Sequence, residues 1–298
     1  MTEPTSAQQY DDRGTEATRR VLLELAHVLG PYLDRLVVIG GIVPTLLLED
    51  AEVPHVGTLD IDLTLDAEAL QEDDEYARMI ELLEASGYVR NVARSAPTLR
   101  PFQLRRRVDL QDGGLEVDVI IDLLMPRGAR LTKHRPPLVD ALRVQEIDGG
   151  RLALDHAVRY QISGRTPEGW TDRAHLRVVS LPAFLALKGN ALSRRRKNKD
   201  AYDVYYVIRN DPRGLDALAE ACGELLTDPL AREAFQEIAN KFATSESYGP
   251  GTVGTFLRDR LPPGFTEAQV RVDAFRQVSA WARKLGLQPA SEVQRPKE

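Results

Sequence analysis

From residue 15 onward apolar side chains recur every three or four positions, at Val21, Leu22, Leu25, Val28 and Leu29. This spacing predicts one amphipathic helix ending near Gly30-Pro31. Residues 36–39 form a short, continuously apolar run, the pattern of a buried strand. Gly40-Gly41 breaks it, and 42–48 reads as a helix with Pro44 in its first turn. The segment 59–65 (LDIDLTL) alternates apolar and polar residues and predicts a strand, and 70–85 returns to helical periodicity before Gly87. Two alternating runs, 102–110 and 115–124, flank QDGG, a hairpin signal because Asp-Gly and Gly-Gly readily take positive φ. Beyond the Pro/Arg-rich MPRGARLTKHRPP and a weak strand at 151–154 the pattern turns almost wholly helical, with helices expected at 181–192, 198–208, 214–226, 230–242 and 267–285. The fold class is therefore α+β: a disordered lead-in over 1–14, an α/β domain over 15–165 and a helical domain over 166–298.

Composition narrows the class. Of 298 residues, 43% are hydrophobic and 28% charged, which fits a globular protein and excludes collagen-like, disulfide-scaffold and wholly disordered chains. The net charge of −6 excludes a generally basic nucleic-acid coat, so any polyanion must meet a local patch. Cys222 is the single cysteine, which excludes an internal disulfide and a thiolate metal cluster and fits a cytoplasmic setting. The polar, acidic N-terminus has no signal-peptide pattern, and the apolar run 36–48 is shorter than the roughly 18 residues a membrane helix needs. A soluble, cytoplasmic protein with no membrane partner is expected.

The candidate chemistry begins at Asp60 and Asp62. Residues two apart on a strand share a face, so these carboxylates stand side by side and repel unless a cation lies between them. Oxygen-only donors suit Mg²⁺ or Mn²⁺. The Gly40-Gly41 turn after an apolar strand can bring backbone amides to phosphate, and the Thr58 hydroxyl can join them. In LEVDVIIDLL, Asp118 and Asp122 point away from the apolar face. Either completes a three-carboxylate cluster, Asp118 being the first choice for its place near the start of the run and Asp122 the alternative. Lys188, amid Leu185, Ala186 and Leu187, needs an anionic partner, for which a nucleoside triphosphate is a candidate. Arg194, Arg195, Arg196, Lys197 and Lys199 make a basic run next to it, and Asp200 and Asp203 share one helix face. None of the five histidines has metal-ligand spacing; His55 lies near the acid pair and reads as an ordinary loop residue.

This set resembles the nucleotidyltransferase superfamily, whose signature is a Gly-Gly or Gly-Ser turn, a DxD strand and a third Asp on a later strand. LPAFLALKGNALSRRRKNKDAYDVYYVIRN in turn looks like the AbiEii/MenT type of nucleotidyltransferase toxin, with a helix-borne Lys before a basic stretch and KDxxD. The likeness covers about 36–66, 115–124 and 180–210; Gly41 departs from it, since many members carry Ser there. The resemblance implies a nucleotidyltransferase-like mixed sheet with flanking helices, and an enzyme (EC 2.7.7 type) that moves an NMP from an ATP- or CTP-type NTP to an acceptor hydroxyl. That acceptor would be the tRNA 3′ end, and an antitoxin would hold the enzyme in check. It implies Asp60, Asp62 and Asp118 as metal ligands, with Asp118 also a general base. Gly40, Gly41, Thr58, Lys188, Arg196 and Lys199 would meet nucleotide phosphates or RNA, and Asp203 would organise the site. Two alternatives stand beside it. Transfer to a small molecule such as an aminoglycoside is disfavoured by the basic stretch, and a catalytically silent nucleotide-binding module by the presence of all the acids and the Lys.

Overall fold

The computed structural model describes residues 4–66, 68–70, 75–90, 99–129 and 144–290. Part of the helix expected at 70–85 and most of the Pro/Arg-rich crossing, with His134, lie outside them. The chain divides into two compact units. The first comprises Met1–Thr2, Tyr10–Leu47 and Val56–Ser180, and the second Glu3–Gln9, Leu48–His55 and Leu181–Glu298.

The first unit is built on a mixed sheet. Its described strands are β1 (Leu36–Ile39), β2 (Asp60–Leu65), β3 (Val89–Arg90), β4 (Gln103–Val108), β5 (Val117–Pro126), β6 (Gln145–Ile147), β7 (Ala157–Arg165) and β8 (Thr171–Val179). Their order is β3-β4-β5-β2-β1-β8-β7, with β6 paired to β5. β2 runs antiparallel to β1 and parallel to β5. One sheet face is apolar by strict alternation: Ile61, Leu63 and Leu65 of β2 and Val119, Ile121 and Leu123 of β5 are all buried. Against it packs α1 (Asp12–Val28), whose Leu22 and Leu25 meet Val38, Leu63 and Leu176. The Asp11 side chain caps α1 by accepting from the Gly14 amide at 2.6 Å. The short helices α2 (Val43–Leu47) and α4 (Gly150–Asp155) and the longer α3 (Glu75–Ala85) complete this unit.

The second unit is helical: α5 (Leu181–Arg194), α6 (Asn198–Asn210), α7 (Gly214–Glu224), α8 (Pro229–Lys241), α9 (Tyr248–Leu257) and α10 (Glu267–Lys284). Two of these start on strong caps. Asp228 accepts from Leu230 and Ala231 ahead of α8, and Thr266 and Gln269 close a capping box on α10. α5 lies so close to α8 that a Cβ on Gly189 would come within 2.3 Å of the Ala234 carbonyl oxygen.

Four expectations are corrected. Residues 4–14 are not a structureless lead-in: Ala7–Gln9 make a 3-10 turn with Ala7 buried, and α1 starts at Asp12. The segment 151–154 is helix α4 rather than strand, and Leu152, Ala153 and Leu154 are buried consecutively, where a strand would alternate. The division between units falls at Ser180/Leu181 rather than 165/166, because β7 and β8 form a long hairpin that belongs to the sheet. Helix α9 was hidden by its Gly and Pro residues, of which Gly249 and Gly254 serve close packing: a Cβ on Gly249 would lie 2.5 Å from the Phe242 ring.

Candidate active site

In the first unit the acids line up across the sheet. Parallel pairing of β2 with β5 sets Asp62 opposite Asp122 and Asp60 opposite Ile120, while β1 places Ile39 beside Asp62. Partners in register lie on the same face, about 4.8 Å apart. Asp62 and Asp122 are therefore neighbours and Asp60 is one diagonal away, all on the face opposite the one α1 covers. All three are half-buried. Two are held by neutral donors: the Thr58 hydroxyl donates to Asp60 Oδ1 at 2.5 Å, and Gln103 Nε2 donates to Asp122 Oδ1 at 2.9 Å. Thr58 is buried, so this contact fixes its hydroxyl.

Asp118 has a different setting. It lies four residues from Asp122, about 13 Å along the strand, and opposite Arg107 in the β4–β5 ladder. Arg107 Nε donates to its Oδ1 at 2.8 Å, and Arg105 Nη1 is 3.8 Å from its Oδ2. The hydrogen bond from Arg107, reinforced by both guanidinium charges, holds its carboxyl below the usual range. The charge that Asp118 would offer an ion is thus already matched.

Gly40 explains how Asp62 fits. Its φ is +76°, and a Cβ there would lie 1.7 Å from Asp62 Oδ2. Only glycine takes that conformation without strain and leaves room for the carboxylate. Gly41 follows in the 3-10 turn that leads into α2. Among the described residues, no three His, Cys, Asp or Glu side chains are gathered as a ready-made ion cage. The donors nonetheless suit a hard divalent cation by kind and by row: oxygens only, adjacent and on one face.

The second unit carries a buried charge cluster. Lys188 Nζ lies 2.8 Å from Asp200 Oδ1 and 2.7 Å from Asp203 Oδ2. Lys199 Nζ donates to Asp203 at 2.9 and 3.2 Å, and Arg195 Nε donates to Asp200 Oδ2 at 2.7 Å. His55 Nε2 is 2.9 Å from Asp203 Oδ1. An ionised carboxylate only accepts, so this nitrogen carries the proton. Burial, then Lys199, pushes the His55 pKa down to about 4 against the pull of Asp203, and the ring is neutral near pH 7. It stacks on Tyr202 with centroids 5.2 Å apart and meets Tyr206 edge-on at 4.8 Å. Burial opposes the charge on Lys188, but Asp200 and Asp203 outweigh it and raise its pKa; burial dominates at Lys199 and lowers it. Burial also works against both carboxylates, yet the cations keep Asp200 low and Asp203 well below the usual range.

The anionic partners that Lys188 requires are thus Asp200 and Asp203. Of the basic run, Arg195 and Lys199 are spent on the same two acids, and Arg196 is exposed. His55 was passed over in the sequence because nothing local links it to Asp203, 148 residues away. Gln103 likewise becomes visible only through the ladder register.

A family model for the nucleotidyl transferase AbiEii toxin of type IV toxin–antitoxin systems matches residues 25–251, well over half of the chain. Among solved structures the chain is similar to MenT4, a nucleotidyltransferase toxin from Mycobacterium tuberculosis. The identity is 16% over 95% of this chain and 98% of that one, with a TM-score of 0.32. Comparison with curated proteins finds no match.

Proposed function

Since the chain belongs to the AbiEii family of nucleotidyltransferase toxins, we propose that it transfers a nucleoside monophosphate from an NTP to the 3′-terminal hydroxyl of tRNA, using Asp60, Asp62 and Asp122 with a divalent metal. The observation that supports this reading is the register that puts Asp122 beside Asp62. Bound Mg²⁺ would polarise the phosphate oxygens and offset the charge that builds on the departing pyrophosphate. The chain's own residues do the rest. Thr58 and Gln103 donate to Asp60 and Asp122 and orient them. Gly40 lets the backbone pass close to Asp62, leaving a side-chain-free approach for phosphate next to the acids.

In this reading Asp118 belongs to the Arg105/Arg107 pairing and is dispensable for transfer. Lys188 and Asp203 act as positioning residues that lock α5 to α6, because their charges are matched inside the cluster. A cognate antitoxin is the expected protein partner. No described helix is long and apolar enough to cross a membrane.

The test is a panel of isosteric variants assayed for transfer of labelled nucleotide to total tRNA with Mg²⁺. Asp60→Asn, Asp62→Asn and Asp122→Asn should each lower transfer by about 100- to 1,000-fold, as expected when charge stabilisation of the transition state is removed, with folding retained. Asp118→Asn should keep transfer within a few-fold of the parent. The reverse order for Asp118 and Asp122 would refute the assignment, and transfer undiminished by EDTA would refute the metal.

A further inference from the structure

The hairpin β7–β8 separates its charges by face. Its register pairs Arg159 with Arg177, Gln161 with His175, Ser163 with Arg173 and Arg165 with Thr171. By alternation these eight residues share one side of the ribbon. The other side carries Val158, Ile162, Leu176 and Val178, and the ribbon packs there on α1. The hairpin's acids are engaged elsewhere: Asp172 meets His27 of α1 at 3.1 Å, and Glu168 meets Arg106 at 3.0 Å.

The outer side therefore holds four arginines and a histidine with no carboxylate among them. Arg159, Arg165 and Arg173 are exposed and make no ion pair among the described residues. Arg177 is anchored by two backbone carbonyls, of Asp34 and Leu154, which leave its charge unmatched. In a chain of net charge −6 this is an unneutralised basic stripe. At its tip stands Trp170, 75% exposed.

Resting on the reading above that the acceptor is RNA, we propose that this side of β7–β8 is the docking surface for the RNA acceptor, with the arginines on the phosphate backbone and Trp170 stacking on an unpaired base. Guanidinium groups spaced along strands suit a regularly repeated phosphate, which they hold bidentately. An exposed indole at the tip of the same hairpin favours nucleic acid over an acidic polypeptide, since single-stranded RNA is gripped by stacking as well as charge. None of these residues is among the proposed catalytic acids or their supports. The surface should therefore set RNA affinity and leave nucleotide handling untouched.

The test compares the full-length protein with Arg159→Gln/Arg165→Gln/Arg173→Gln and, separately, Trp170→Ala. Binding of total tRNA is measured by fluorescence anisotropy from low to moderate salt, together with binding of NTP in Mg²⁺. The triple variant should weaken tRNA binding at least tenfold and lower the salt slope by about 2, because each lost phosphate contact removes about 0.7 from it. In transfer assays its KM for tRNA should rise while kcat and NTP affinity stay those of the parent. Trp170→Ala should weaken binding severalfold with an unchanged slope. Equal affinity and slope in parent and triple variant would overturn the docking surface while leaving the RNA reading intact. Failure of the parent itself to bind or modify tRNA would overturn the RNA reading and this surface with it. Preferential binding of poly-glutamate by the parent, lost in the triple variant, would reassign the surface to an acidic polypeptide.

Discussion

At the scale of single residues, the site is shaped by where side chains are missing as much as by where they stand. Gly40 combines a positive φ with an approach to Asp62 that admits no Cβ. Gly40→Ala should cost only about 1–2 kcal/mol in backbone strain. By displacing the Asp62 carboxylate it should cut transfer by about 100-fold, the scale of a misplaced catalytic group. Parallel thermal melts and transfer assays check this, and a loss of stability without loss of transfer would contradict it. His55 gives the molecule a pH signature. Its pKa falls from 6.5 in the unfolded chain to about 4 in the fold, so between those values the unfolded state takes up a proton that the folded state refuses. Stability is full above pH 6.5 and declines as pH falls towards 4, by about 3 kcal/mol in all. The depressed carboxyls of Asp200 and Asp203 contribute stability above the normal carboxylate range and carry the decline to lower pH. Urea unfolding from pH 7 to pH 4.5 should show this slope, and His55→Gln should flatten it.

At the scale of elements, legibility followed the strength of each local pattern. The Gly-Gly turn, the acid strand and the β4–β5 hairpin were readable because alternation and turn chemistry are encoded within a few residues. Five of the six described helices of the second unit were readable for the same reason, through their apolar spacing and the Pro, Gly and Asn residues between them. β7 and β8 escaped because their outward positions are nearly all basic or polar and their inward ones only thinly apolar. α9 escaped because Gly249 and Gly254, which look like breakers, fit against Phe242 and Arg271. The choice between Asp118 and Asp122 could not be made locally, since both lie on one face of one strand. It depends on a pairing partner 60 residues earlier that places Asp122 beside Asp62, and on arginines of β4 that claim Asp118. The same holds for Lys188: its need for an anion was legible, but the identity of that anion came from the packing of α5 with α6.

At the scale of the whole molecule, the two units are not two consecutive lengths of chain. The second unit takes in Glu3–Gln9 and Leu48–His55 from the N-terminal third. Within it, Thr5 accepts a hydrogen bond from Asn198 at 2.9 Å, Val53 accepts one from Tyr206 at 2.8 Å, and His55 completes the shell of Asp203. A fragment spanning 181–298 lacks all three and should be far more open to limited proteolysis than the full chain. Comparable resistance in the fragment would show these segments to be dispensable. The stretch 48–55 also joins the glycine turn to the acid strand. A growing chain on the ribosome therefore displays Asp60, Asp62 and Asp122 long before the helices that receive this connection have been made. Until residues 181–210 have emerged, the segment 48–55 has no partner to join, so the second unit can close only late in synthesis.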